Sequence, residues 1–319
     1  MKRNSIDDVI NYAVKADRLT EFRDSTKLLK AFIEAIRLNK DLFLNTNMVD
    51  LKSNNGYKID TNIIDRILNK YEDINSVIEG NNTSELSDDL IKSNIYSKLG
   101  VVLVLFDGNF YAMLEMMLLS LLTHNTMIFM YDGYMLGSNT LLINITESFF
   151  KKQKMDENIF QQIDNIDLNI FKNFKSIDKT ILIGNQEFVD KYIKECTTEV
   201  VVSRYDYYDL YIEDITHMDL IGQILELNTN LNVYIKDGID IDYEDAMIVG
   251  DVDEAISNIN SNGSRNASSI FTSDDDNAKR FISDCKSKIV YVNANPSYER
   301  NLDIKQEDLL REKRIIVPR

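Results

Sequence analysis

The stretch that decides the fold is DVDEAISNINSNGSRNASSIFT, residues 251–272, followed at residues 291–296 by YVNANP. Asp251 or Asp253 is placed to cap a helix, because a carboxylate ahead of an apolar stripe accepts from the first free backbone amides. Ala255, Ile256 and Ile259 form that stripe at helical spacing. Gly263 is expected to close the helix in a left-handed turn, which a residue without Cβ adopts cheaply. A strand SSIFT, a helix DDNAKRFISDC and a strand KIVYVNA follow, and the carboxylates of SDDDNAK at 273–279 suit the second helix's amino end. All of this is scaffold, and none of it requires an enzyme.

Upstream the same alternation continues. Between residues 96 and 205 the runs SKLGVVLVLF, NTMIFMY, KTILIG and EVVVS alternate with the helical stretches YAMLEMMLLSLL, SNTLLINITESFFKK and QEFVDKYIKEC. Runs apolar on both faces, separated by helices, imply a buried parallel sheet covered on each side. Ahead of them, helical spacing places Ile6, Val9, Ile10, Ala13 and Val14 on one helix. Leu28, Leu29, Phe32, Ile33 and Ile36 mark a second, and Ile63, Ile64 and Ile67 a third. GNNTSELSDDL, residues 80–90, reads as an exposed loop. A helix near His217 to Leu227 and the strands NLNVYI and DAMIVG lead back to the opening stretch. The class is α/β, with a second unit shorter than the first.

The chain has 319 residues, 44% of them hydrophobic, enough for two cores. Its formal charge of −16 opposes a phosphate backbone or an anionic membrane surface, so neither nucleic acid nor membrane is expected as a partner. Residues 100–122 are the most apolar segment, but Asp107, Gly108, Asn109 and Glu115 break it below the length of a bilayer crossing. Two cysteines exclude a disulfide framework and, with a polar start to the chain, point to the cytoplasm.

The opening stretch resembles the C-terminal part of aldehyde dehydrogenase superfamily proteins, and most closely gamma-glutamyl phosphate reductases, also called glutamate-5-semialdehyde dehydrogenases. Asp253, Glu254, Ala255 and Ile256, then Ile259, Asn260, Gly263 and Ser264, then Val290 to Ala294 follow that family's pattern. LGVVLVLFDGNFY at 99–111, HNTMIFMYDG at 124–133, KTILIGNQEFVDKYI at 179–193, EVVVSRYDYYDLYIED at 199–214 and DLLREKRIIVPR at 308–319 keep its order. The resemblance implies an aldehyde dehydrogenase-like fold: a parallel-sheet, Rossmann-like nucleotide-binding-type domain at 1–210 and a reduced α/β catalytic-type domain at 211–295. A tail at 296–319 would return to the first domain or to a dimer partner.

It also implies a cysteine thiolate, oxyanion donors and NADP, and each can be sought residue by residue. The nucleophile is expected near GQILELNTNLNVYIKDG, residues 222–238, yet no cysteine occurs between Cys196 and Cys285. Both cysteines end helices, where the negative end of the dipole disfavours a thiolate. No catalytic residue is assigned. The oxyanion asparagine falls at Tyr111, two residues after Asn109. The basic residue of the nucleotide site becomes Met130, followed by Tyr131, Asp132, Gly133 and Tyr134, and Asp132 would repel a phosphate.

Gly184 and Asn185 do match the family's turn where cofactor approaches, and they are the cofactor-binding candidates. The later glycine-rich strand end becomes Ser203, Arg204, Tyr205, Asp206, Tyr207 and Tyr208, whose tyrosines are expected to fill the cleft. The expected protein is a homo-oligomer, a dimer by family habit, that has lost catalysis and acts by binding. Its alternatives are an active NADP-dependent glutamate-5-semialdehyde dehydrogenase and a non-catalytic nucleotide or metabolite sensor.

Three other constellations carry less. DGIDIDYEDA at 237–246 is acidic, but a calcium loop counted from Asp240 would need Gly and Glu where Asp245 and Asp251 stand, so it reads as a solvated loop. His124 and His217 are read as structural. RYDYYDLYIED at 204–214 has tyrosines and carboxylates at strand spacing, and is either a protein-binding edge or an ordinary half-buried strand.

Overall fold

The computed structural model describes residues 5–20, 25–53, 58–74, 76, 82–87, 90–131, 135–164, 166–204, 208–227, 231–263, 266–296, 302 and 304–318. The chain divides into two compact units, Met1–Arg204 with Leu302–Arg319, and Tyr205–Asn301.

Unit 1 begins with four helices: α1 (Ile6–Leu19), α2 (Ser25–Arg37), α3 (Lys40–Lys52) and α4 (Thr61–Glu72). Ser5 and Asp8 open α1 as a reciprocal capping box, and α2 buries the stripe Leu28, Leu29, Phe32, Ile33 and Ile36 that its spacing indicates. Helix α3 has no such stripe: it buries Phe43, Asn47 and Asp50 while Met48 and Val49 face out. One apolar anchor, Phe43 packed 5.0 Å from the Phe110 ring, is joined by polar contacts. Lys40 pairs with Asp65 at 2.8 Å, and Asn47 Oδ1 accepts from the Ile59 amide at 2.8 Å.

The segment read as a loop at 80–90 contains strand β1 (Asn82–Ser87), paired antiparallel with β2 (Leu90–Lys98). Its residues lack apolar alternation, so backbone pairing with β2, and not patterning, makes it a strand. Strands β3 (Val101–Phe106), β4 (Thr126–Tyr131), β5 (Phe160–Asp164), β6 (Lys179–Gly184) and β7 (Val200–Arg204) form a parallel sheet in the order β5-β4-β3-β6-β7. Every residue of β3, β4 and β6 is buried, as expected of strands covered on both faces. Val101, Leu103 and Leu105 meet Val9, Ile10 and Ala13 of α1 on one face.

Helices α5 (Phe110–Thr123), α6 (Leu136–Lys152) and α7 (Gln186–Tyr192) follow β3, β4 and β6. All fourteen residues of α5 are buried, which explains an apolar run that is hydrophobic all round without being a membrane span. Among the described residues no helix is long and apolar enough to cross a membrane.

Unit 2 contains β8 (Tyr208–Ile212), α8 (Met218–Leu227), β9 (Leu231–Lys236), β10 (Met247–Val249), α9 (Val252–Asn262), β11 (Ala267–Phe271), α10 (Asp275–Asp284) and β12 (Ile289–Val292). All five strands are parallel, in the order β10-β9-β8-β11-β12. Asp251 caps α9 by accepting from the Glu254 amide at 3.0 Å, and Asp274 caps α10. Gly263 is not left-handed: its φ is −74°, and it is demanded by space. A Cβ there would lie 2.5 Å from the Ile259 carbonyl oxygen and 2.6 Å from the Asp209 carboxylate.

Of the stretch considered as a binding edge, Tyr208–Ile212 form the central strand of this sheet. Strand β8 lies between β9 and β11 with all five residues buried, and Asp209 accepts from Asn232 Nδ2 at 2.9 Å. The chain then returns to unit 1, where β13 (Leu310–Pro318) pairs antiparallel with β2 from Leu310↔Lys98 to Pro318↔Leu90.

Candidate functional site

In a parallel α/β sheet, ligands bind outside the carboxyl ends of the strands, where successive connections run in opposite directions. In unit 1 that place is the end of β3, flanked by β4 and β6. The amino ends of α5, α6 and α7 follow these strands, and each presents backbone amides that an anion could use. All three already meet an acceptor from the chain. Asn109 Oδ1 accepts from the Tyr111 and Ala112 amides at 3.0 and 3.4 Å, and Asn185 Oδ1 from the Phe188 amide at 2.9 Å.

At α6 the acceptor comes from elsewhere. Met135, in the N-cap position, is left-handed (φ 54°) and makes no side-chain cap. Asp50 of α3 takes its place: Oδ1 accepts from the Gly137 amide at 2.9 Å, and Oδ2 from the Ser138 amide and hydroxyl at 3.0 and 2.6 Å. A groove of about 480 Å³ between α3 and α6 opens beside this contact, walled by Thr46, Val49, Asp50, Leu136, Gly137 and Leu141.

The sequence candidates lie along this edge. Gly184 ends β6, and a Cβ there would lie 2.7 Å from the ring of Phe188, which packs with Leu182, Val189 and Tyr192 on the face of the sheet that also carries α1. Asn185 is the N-cap of α7. Tyr111 is buried with its hydroxyl accepting from the Asp60 amide at 2.7 Å. Met130 and Tyr131 are core residues, and the Tyr131 hydroxyl accepts from Gln162 Nε2 at 2.8 Å. Arg204 is exposed in register with Gly184, and Ser203 is buried. Asp132, Gly133, Tyr134, Tyr205, Asp206 and Tyr207 lie outside the described residues. Tyr208, expected to fill the cleft, is packed in the core of unit 2 with Ile221 and Ile224. Among the described residues, Asn109 and Asn185 cap α5 and α7, while the amino end of α6 already holds a carboxylate, so its donors do not fit the phosphates of a dinucleotide.

The thiols lie in different units. Cys196 follows a short 3₁₀ turn after α7 and donates its S–H to the Tyr192 carbonyl at 3.4 Å. Burial, with Glu195 adding to it, pushes this thiol up to about 11, so it is protonated near neutrality. Cys285 is buried at the carboxyl end of α10, with Sγ 3.4 Å from the Ser287 hydroxyl. His124 ends α5 in a left-handed conformation against the Ser25 hydroxyl, and burial followed by Lys98 lowers its pKa to about 4. His217 lies edge-on to Phe271 just before α8.

Sequence reasoning missed Asp50, Phe188 and a polar cluster in unit 2. There Glu213, 6% exposed, accepts from Thr272 Oγ1 at 2.5 Å, Asn277 Nδ2 at 2.8 Å and Lys236 Nζ at 3.2 Å. Its members come from four elements or their flanks, so no short spacing marks it. Among the described residues no group of three or more His, Cys, Asp or Glu side chains is arranged to hold a metal.

No family model matches the chain. A gamma-glutamyl phosphate reductase of Alkaliphilus oremlandii is 18% identical, over 86% of this chain and 84% of that protein. The crystal structure of gamma-glutamyl phosphate reductase from Thermotoga maritima superposes with a TM-score of 0.60 at 14% identity, covering 98% of each chain. The glyceraldehyde-3-phosphate dehydrogenase of Methanocaldococcus jannaschii, complexed with NADP, gives 0.70 at 11%, covering 98% of this chain and 94% of that one. These likenesses agree on the architecture: the chain has the aldehyde dehydrogenase-like fold and is similar in sequence to gamma-glutamyl phosphate reductases.

Proposed function

We propose that this is an aldehyde dehydrogenase-fold protein that acts by binding and not by catalysis. The observation that carries the reading is where its sulfur lies. Thiol chemistry on a carbonyl or acyl phosphate needs a thiolate at an open site. Neither cysteine lies in residues 222–238, where the resemblance places the nucleophile. Cys196 is held protonated by burial, and Cys285 is buried at a helix carboxyl end. Gly184 and Asn185 then serve as a turn and a helix cap. The same reading makes the protein a cytoplasmic homo-oligomer: two free cysteines support the compartment, the habit of the family it resembles supports the assembly, and light scattering on the purified chain tests the latter.

The competing reading, an NADP-dependent reductase of gamma-glutamyl phosphate, is favoured by the names of the Alkaliphilus and Thermotoga proteins. The two separate in one assay. Purified chain is given NADP, phosphate and glutamate-5-semialdehyde, and NADPH formation is followed for wild type, Cys196→Ser and Cys285→Ser. We expect no rate above the protein-free blank in any of the three. Wild-type turnover that either serine abolishes would overturn the proposal.

A further inference from the structure

We propose that Asp50 is a built-in anion that permanently occupies the amino end of α6 and keeps phosphate-bearing dinucleotides out of the sheet edge of unit 1. The inference rests on the fold reading above, but it assigns the loss of cofactor to residues unconnected with the missing thiolate.

A helix amino end at the carboxyl edge of a parallel sheet offers convergent N–H donors and a positive dipole, the two features a phosphate uses. In α6 those donors are the Gly137 and Ser138 amides and the Ser138 hydroxyl, and all three converge on the Asp50 carboxylate at 2.6–3.0 Å. The carboxylate is 5% exposed. It is no local cap of the ordinary kind, since it comes from α3, 87 and 88 residues away in sequence, while the local N-cap residue Met135 supplies none. Gly137 makes the close approach possible: a Cβ there would lie 2.8 Å from Asp50 Oδ1.

An incoming phosphate has two choices. It can displace the carboxylate, stranding a buried charge, or sit beside it and meet a like charge at short range. Space is not what is lacking, because the 480 Å³ groove opens onto the same place. Positive charge is not lacking either, because Arg204 is exposed in register with Gly184. What is lacking at α6 is a free set of donors.

The test uses the full chain. Wild type, Asp50→Ser and Asp50→Ala are checked for native circular dichroism, then titrated with NADPH by fluorescence and with inorganic pyrophosphate by thermal shift. Wild type should show no saturable signal with either probe up to about 1 mM, a concentration that would reveal all but very weak binding. A folded Asp50 variant should gain pyrophosphate binding by at least about tenfold.

Saturable NADPH binding by wild type overturns the proposal, as does a folded Asp50→Ala chain that binds pyrophosphate no better than wild type. Should neither Asp50 variant fold, the wild-type titrations decide alone. NADPH binding without turnover would sink this inference and leave the argument from the thiols standing.

Discussion

In unit 1 the sheet β5-β4-β3-β6-β7 ends against caps, two supplied by the loops themselves and one carried in from α3. In unit 2 the sheet β10-β9-β8-β11-β12, identical in order when counted along the chain, ends in a network around Glu213 drawn from its own strands and from α10. One topology therefore carries two different finishes. The order of strands fixes where a crevice can form, and the side chains at the edge decide whether anything is left for a ligand.

The largest effects should come from breaking one core at a time. Phe129 is fully buried against Phe106 and Phe160 in unit 1, and Phe281 is fully buried against Tyr211 in unit 2. Either residue changed to Ala should cost about 3–5 kcal/mol. Because Cys196 and Cys285 lie in different units, thiol labelling in mild denaturant reports each separately. Phe129→Ala should speed labelling of Cys196, and Phe281→Ala that of Cys285. Equal acceleration of both thiols by either change would show that the units open together.

A smaller effect sharpens the reading of unit 2. Gly263→Ala forces a methyl against the Ile259 carbonyl and the Asp209 carboxylate, for a loss of about 1–3 kcal/mol. Gly238 is left-handed at φ 84° with open space around it, so Gly238→Ala should cost about 1 kcal/mol through backbone strain alone. Denaturant midpoints that place Gly238→Ala as the costlier change would contradict the space argument.

A pH slope from unit 1 gives a further test. His124 is held neutral, its pKa lowered from 6.5 to about 4, so between those values the unfolded chain binds more protons than the folded one. Stability from this group is complete above pH 6.5 and is lost as pH falls through about 4. His124→Asn, which tolerates the left-handed cap, should flatten the melting temperature in that window. An unchanged slope would mean that other groups dominate it.

The strands and helices that bury apolar faces were legible because their periodicity is their reason for existing. Val101–Phe106 reads as a buried strand and is one, and Asp251 and Asp274 cap the helices their positions suggest. Helix α3 was not legible: it buries Asn47 and Asp50 while exposing Met48 and Val49, so no stripe announces it. Asp50 itself gives no signal, since its donors stand 87 and 88 residues later. Gly263 was seen as necessary for the wrong cause, because sequence shows a missing Cβ but not the atoms that would collide with one. The central place of β8 was hidden because Asp209, with no exposed surface, counts as polar in any pattern.

The pairing of β13 with β2 has a consequence for how the chain is made. Ser97 and Arg311 face each other across 214 residues, and all of unit 2 is translated between them. Until β13 leaves the ribosome, β2 keeps one ladder of N–H and C=O groups unmatched, open to any extended segment of a neighbouring nascent chain. The inserted unit can mature first while the surrounding one waits for β13, and chains stalled before residue 310 should be those that recruit chaperones or clump.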